Sequence, residues 1–240
     1  MARYKIKLKH HELVAEGTMA FHFERPADFK FKAGQAVGIT LIAPSETDAE
    51  GNTRAFSIVS APFEDELVVA TRLRDTAFKR ELSRLLPGST VKLAGPFGSF
   101  GLPDSPEKTA VFLAGGIGIT PFVSMLRQAT HEQLPHRLFL FYSNRRPEDA
   151  AFLDDLQRLE ETNPNYRLIG TMTAMQNSKQ AWAGETGHIC AELLSKAIGQ
   201  INSPVYYIAG PPTMVATLRE MLKEVGVDDD DIRTEEFSGY

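Results

Sequence analysis

Cysteine and tryptophan are nearly missing from this chain of 240 residues, which holds one of each, Cys190 and Trp182. A single thiol excludes an intramolecular disulfide. It also excludes a four-thiolate iron–sulfur cluster of the chain's own. So little cysteine fits a reducing compartment, and a cytoplasmic setting is expected. Long apolar runs are missing too: no stretch of about 18 apolar residues occurs, so no membrane-spanning helix is expected. Residues 1–10 are charged and alternating, without the apolar centre of a secretory leader. The six histidines show no ligand pairing along the chain, and no metal is expected. Positive charge is not in excess. The formal net charge of −5 argues against nucleic acid as a partner. Residues 1–104 hold 14 Lys and Arg against 13 Asp and Glu, whereas residues 105–240 hold 12 against 18. Drift between two modules and a docking asymmetry both account for that imbalance.

What is present falls into two rhythms. With 42% hydrophobic residues, the chain is long enough for two ordinary domains. In the first half, Tyr4–Lys9, Met19–Phe23 and Leu67–Leu73 follow the period of half-buried strands. Turn signals at Pro26, Ala33-Gly34, Pro44, Pro87-Gly88 and Gly95-Pro96 separate them, as in a barrel or sandwich. A short helix is predicted from about Phe78 to Leu86, and a polar loop from Ser45 to Asn52. The second half alternates apolar strands (Ala110–Ala114, Arg137–Tyr142, Tyr166–Gly170, Pro204–Ala209) with helices starting near Pro121, Pro147 and Pro211. That pattern means a parallel sheet covered on both faces. Prolines cluster between Leu102 and Lys108 and divide a β-domain, 1–104, from an α/β domain, 105–240.

Four segments carry chemistry. Gly115-Gly116-Ile117-Gly118-Ile119-Thr120-Pro121 follows a buried strand and opens a helix. Backbone amides and a helix N-terminus there suit a phosphate, although a tight turn alone also needs small residues. The spacing is not the G-x-G-x-x-G fingerprint of ordinary dinucleotide folds. Arg54-Ala55-Phe56-Ser57 offers a guanidinium fork for a pyrophosphate, a flat ring and a hydroxyl. Strand alternation puts Arg54 and Phe56 on one face, where Phe56 also reads as an ordinary core residue. In Arg72–Arg80, Thr76 reads as an N-cap. The free amides of Ala77, Phe78 and Lys79 with the nearby bases make a second anion site, or simply a capped surface helix. The tail Arg233–Tyr240 is aromatic, which by itself only pins a strand.

Taken in order over nearly the whole chain, these segments resemble the ferredoxin–NADP reductase superfamily. The resemblance implies a six-stranded antiparallel Greek-key barrel that binds FAD, followed by a Rossmann-like parallel α/β domain that binds NAD(P)H. It implies that Arg54 meets the FAD pyrophosphate, that Phe56 packs on the isoalloxazine, and that Ser57 hydrogen-bonds the ring nitrogen receiving hydride. Thr76 to Lys79 resemble the family's second pyrophosphate contact, which favours FAD over FMN. Gly95-Pro96-Phe97-Gly98 resembles the turn closing the barrel. Gly115 to Pro121 resemble the NAD(P)H loop, and Ala209-Gly210-Pro211-Pro212 a Cys-Gly-Pro-Pro segment beside the nicotinamide, with alanine in place of cysteine. Glu235-Glu236-Phe237 resembles the terminal Glu-x-aromatic. Glu235 is assigned to positioning the nicotinamide or relaying a proton, with Glu236 the alternative, and Phe237 to covering the flavin. Tyr240, three residues on, is expected to stack there.

Ser143 and Arg145 suit a 2′-phosphate and favour NADPH, but Thr171–Ala174 lacks the arginine found in NADPH-selective relatives, so NADH stays open. His188, near Trp182, reads as structural. The expected activity is a reductase passing electrons to a separate small redox protein (ferredoxin or flavodoxin) or oxygenase component, since no iron–sulfur module is fused. A free-flavin or quinone reductase, and a non-catalytic interaction subunit, are the alternatives.

Overall fold

The computed structural model describes residues 2–237, so the expectation for Tyr240 lies outside the described residues. Alternation in the first half builds an antiparallel barrel of β1 (Ala2–Ala15), β2 (Thr18–Glu24), β3 (Ala36–Leu41), β4 (Thr53–Ser57), β5 (Glu66–Arg72) and β6 (Thr90–Phe97). The strand order is β4-β3-β6-β1-β2-β5, a Greek-key arrangement. A bridge between Ile58 and Val69 joins the end of β4 to β5 and closes the ring. Residues two apart point inward together, as the strand period requires: Ile6 and Leu8, Phe21 and Phe23, Val37 and Ile39, Val91 and Leu93. Helix α1 (Ala77–Ser83) plugs this core with Phe78 and Leu82. Its N-cap is Thr76, whose hydroxyl accepts from the Lys79 amide at 3.3 Å.

The second half is a parallel sheet with helices on its faces. Its elements are β7 (Ala110–Gly115), α2 (Thr120–His131), β8 (Leu138–Asn144), α3 (Leu153–Thr162), β9 (Tyr166–Met172), β10 (Glu185–Thr186), α4 (Ala191–Ile198), β11 (Val205–Gly210), α5 (Pro212–Glu224) and β12 (Ile232–Glu236). The strand order is β10-β9-β8-β7-β11-β12. β7 is a continuous apolar run because both its faces are covered: Phe112 and Ala114 belong to one core, Val111 and Leu113 to another. The chain winds from β7 out to β10 and returns on the other side of β7 at β11. That reversal opens a crevice at the carboxyl ends of β7 and β11.

One core crosses between the halves. Ala20, Val59, Val68 and Ala70 of the barrel share a buried cluster with Phe112, Phe122, Val123 and Leu140. Inside it the Ser124 hydroxyl donates to the Ser60 carbonyl at 2.7 Å. The linking segment is pinned as well, since Tyr207 Oη and Arg233 donate to the Gly101 carbonyl at 2.6 and 2.7 Å.

Two expectations are corrected. Gly95-Pro96 is not a turn but lies within β6, opposite a register shift in β3 between Ala36 and Gly38. Gly95 has φ +149°, and a Cβ there would sit 3.1 Å from Val37 Cγ1, so glycine is what lets the strands stay paired. The helix expected from Pro147 begins only at Leu153. Pro147–Asp149 form a single 3₁₀ turn, held by the buried Asp149 carboxylate, which accepts from Arg146 at 2.9 Å and from Arg72 at 3.2 Å.

Candidate active site

A cluster of cations lies where β4 meets α1. Arg54 and Phe56 share a face of β4, and the Arg54 guanidinium lies 5.0 Å over the Phe78 ring. Burial first, and then the charges of Arg74 and Arg54, push the Lys79 ammonium below its ordinary value. Three cations crowded together form a setting that a dianion would relieve. Arg54 is engaged by the polar loop: Asp48 accepts from it at 2.8 Å and Glu50 pairs at 3.0 Å. Asp48 is held below the ordinary carboxylate range, chiefly by Arg54. Side-chain carboxylates therefore occupy the guanidinium expected to hold phosphate. Phe56 is only 8% exposed and packs 6.0 Å from Phe78 in the barrel core. The inward face of β4 takes its ring, while Ala55 on the other face is exposed.

The crevice is made by two backbones pressed together. A Cβ on Gly118 would lie 2.2 Å from the Ala209 carbonyl oxygen, and one on Gly210 would lie 3.2 Å from Gly115 Cα and N. Gly116, at φ +49°, begins the 3₁₀ turn that leads into α2. The loop residues divide by burial. Ile119, Thr120 and Pro121 are buried beneath the turn, where the Thr120 hydroxyl donates to the Ile117 carbonyl at 3.0 Å. Gly115 and Gly116, before them, line the cleft.

Ser57 and Glu235 meet at the junction of the halves, 178 residues apart in sequence. The Ser57 hydroxyl, buried at the end of β4, donates to Glu235 Oε1 on β12 at 3.4 Å. Glu236 is exposed, so alternation along β12 selects Glu235 of the two. Beside them the Phe237 amide donates to the Gly210 carbonyl at 3.0 Å, and Ala209 is fully buried. Burial pushes the Glu235 carboxyl above its ordinary value of 4.5, and the Ser57 hydrogen bond offsets part of that. A carboxyl raised on folding stabilises the fold below its unfolded value and loses that stability as pH rises through the folded one. Glu235→Gln cannot ionise. Its melting temperature relative to the parent is therefore expected to be higher at about pH 8 than at about pH 4, and thermal melts at the two values check this. An equal difference at both would mean that the buried carboxylate carries no penalty.

A cleft of about 840 Å³ runs from this crevice over the sheet end. The expected residues Arg72, Gly115, Gly116, Ser143, Arg145 and Pro211 line it. Sequence reading missed Asn144, which is only 6% exposed at the end of β8, with neither amide atom partnered. A buried amide in that state implies an intended partner from the cleft. It carried no signal beyond following a strand. His188, read as structural, also lines the cleft. Arg72 and Arg146 are neutralised by Asp149, whereas Arg145 makes no ion pair among the described residues.

Residues 112–220 match the family model for the oxidoreductase NAD-binding domain. Ferredoxin–NADP reductase B of Sorangium cellulosum is 30% identical over 217 residues, covering 87% of this chain and 86% of that protein. The glycine betaine monooxygenase reductase subunit of Chromohalobacter salexigens is 28% identical over 223 residues, covering 92% of this chain, which spans 60% of that protein's length. Among solved structures, a ferredoxin–NADP⁺ reductase from Neisseria gonorrhoeae with bound FAD and NADP superposes with a TM-score of 0.81 at 25% identity, covering 98% of both chains. Fold, crevice and relatives converge, and the chain belongs to the ferredoxin–NADP reductase superfamily of FAD-dependent NAD(P)H oxidoreductases.

Proposed function

We propose that this chain is a reductase that carries electrons from NADPH, by way of FAD, to a separate small redox protein or oxygenase component. The observation that carries it is the Ser57–Glu235 contact across the two halves, at the strand-reversal crevice, with a cation cluster on the barrel side and a cleft on the other. Bound FAD supplies hydride acceptance and onward electron release. The chain supplies position. Arg54, Lys79 and the α1 amides hold the diphosphate, and Ser57 offers a hydroxyl to the reacting ring. Glu235, whose carboxyl burial pushes above its ordinary value, positions the nicotinamide or relays a proton. Ala209, Gly210 and Phe237 shape the wall beside it. The second diphosphate anchor at α1 favours FAD over FMN, and tight FAD argues against a free-flavin reductase. The reductase-subunit name of the Chromohalobacter relative supports an oxygenase component as acceptor.

Preference for NADPH rests on Arg145, which lines the cleft beside Ser143 and the unpartnered Asn144. A charge-assisted bond to a 2′-phosphate is worth roughly 1.5–3 kcal/mol, so Arg145→Ala is expected to raise KM for NADPH by about 10–100-fold. KM for NADH should stay unchanged. The check is an anaerobic titration of the FAD-loaded protein with each nucleotide, following the flavin absorbance, together with steady-state kinetics. Equal losses for both nucleotides would remove the 2′-phosphate assignment, and a flavin that neither nucleotide bleaches would remove the reductase.

A further inference from the structure

We propose that His10, His22 and Glu66, on the outer face of the barrel, form a binding site for a borderline divalent transition-metal ion such as Zn²⁺. The register of β1 and β2 sets His10 directly opposite His22, so their side chains leave the sheet on the same face. The two imidazoles stack with centroids 4.0 Å apart and planes 18° apart. Glu66 reaches in from the adjoining β5, with Oε2 2.8 Å from His22 Nδ1. One ligand atom from each of the three lies within 4.8 Å of the others. A zinc ion with bonds of about 2.0–2.2 Å to N and O gathers its ligand atoms to roughly 3.3 Å of one another. Side-chain rotation, chiefly of the exposed His10, closes that gap.

The surroundings of His22 complete the arrangement. Its second ring nitrogen, Nε2, faces Glu12 Oε1 at 3.3 Å. A carboxylate on the far nitrogen fixes the tautomer and ring plane of a ligating histidine and raises its basicity. That leaves Nδ1 for the metal, where it already points at Glu66. Two imidazoles with one carboxylate suit zinc, nickel or copper and not the oxygen-seeking magnesium or calcium. Three protein ligands leave a position for water. Glu12, His22 and Glu66 also line a cleft of about 970 Å³, which gives an ion a solvent path to them. None of the three ligands lines the nucleotide cleft. One side chain competes: the Lys9 ammonium pairs with Glu66. No spacing along the chain displays this site, because its ligands come from three strands.

The test is calorimetric titration of the full-length, FAD-loaded protein with Zn²⁺ in a non-chelating buffer, with Co²⁺ visible absorption as a second readout. One saturable site is expected, abolished in His10→Ala and in His22→Ala. Glu12→Gln should weaken it by about tenfold through loss of the outer hydrogen bond. Lys9→Ala should tighten it, a change of opposite sign that misfolding does not mimic. Flavin bleaching by the nicotinamide nucleotide should be unaltered in His10→Ala, which separates this site from the reductase assignment. Absence of binding, or an isotherm unchanged in both histidine variants, overturns the proposal and leaves His22 as a side chain hydrogen-bonded to Glu66 and facing Glu12.

Discussion

Arg54→Ala is expected to yield a folded protein that loses FAD on gel filtration. The guanidinium is the charged fork of the barrel-side cluster, and each charge-assisted bond to phosphate is worth roughly 1.5–3 kcal/mol. Loss of two such bonds raises the FAD dissociation constant by at least about a hundredfold. The side chain is already engaged, by Asp48 at 2.8 Å and Glu50 at 3.0 Å, and a diphosphate must take their place. Asp48→Asn weakens that competitor and is expected to move affinity the other way, tightening FAD several-fold. Fluorescence titration of the apoprotein reads both variants, with circular dichroism to check folding. FAD held as tightly by Arg54→Ala as by the parent would place the diphosphate elsewhere.

Gly118→Ala is the second large effect. The added Cβ would lie 2.2 Å from the Ala209 carbonyl oxygen, 2.4 Å from its carbon and 2.6 Å from the Gly210 nitrogen. All three are backbone atoms of β11, so no flexible side chain yields and the two loops must part. A misplacement of about 1 Å at a reacting centre lowers rates by about a hundredfold. Flavin reduction by the nicotinamide nucleotide is expected to slow by at least that factor, with FAD affinity unchanged, in anaerobic stopped-flow measurements. Gly101→Ala is the matched control, since a Cβ there meets nothing within 4 Å. Equal reduction rates in both variants would show that the close approach of β7 and β11 is not what sets the geometry.

The sequence displayed the parts of this fold whose burial is regular. β7 and β11 are covered on both faces and read as unbroken apolar runs, and the glycines between them marked the crevice. β3 and β6 escaped, because Gly38 and Gly95-Pro96 interrupt their pattern at a shift in register. The late start of α3 was hidden because Asp149 folds back on Arg146 and Arg72, a contact between halves that no local rule encodes. Motifs singled out Ser57 and Glu235, which the fold brings into contact across the two halves. The burial of Phe56 and of Ile119 to Pro121 was not legible, since it depends on what packs over them. Asn144 announced itself only through unpartnered atoms at the end of a strand. The polar loop was evident, but its folding onto Arg54 was not.

The core that runs from Val68 and Ala70 to Phe112 and Phe122 has a consequence for timing. Many two-lobed enzymes assemble their reacting groups by closing a hinge in each cycle. Here Ser57 and Glu235 stand on lobes already fused by buried apolar contacts and by the Ser124–Ser60 hydrogen bond. On the reductase reading proposed above, the distance between them is set during folding and needs no closing hinge. The Ser57–Glu235 contact and thermal stability then draw on the same buried packing. A substitution that loosens Phe122 or Val68 should blur the alignment of the crevice well before it unfolds the chain.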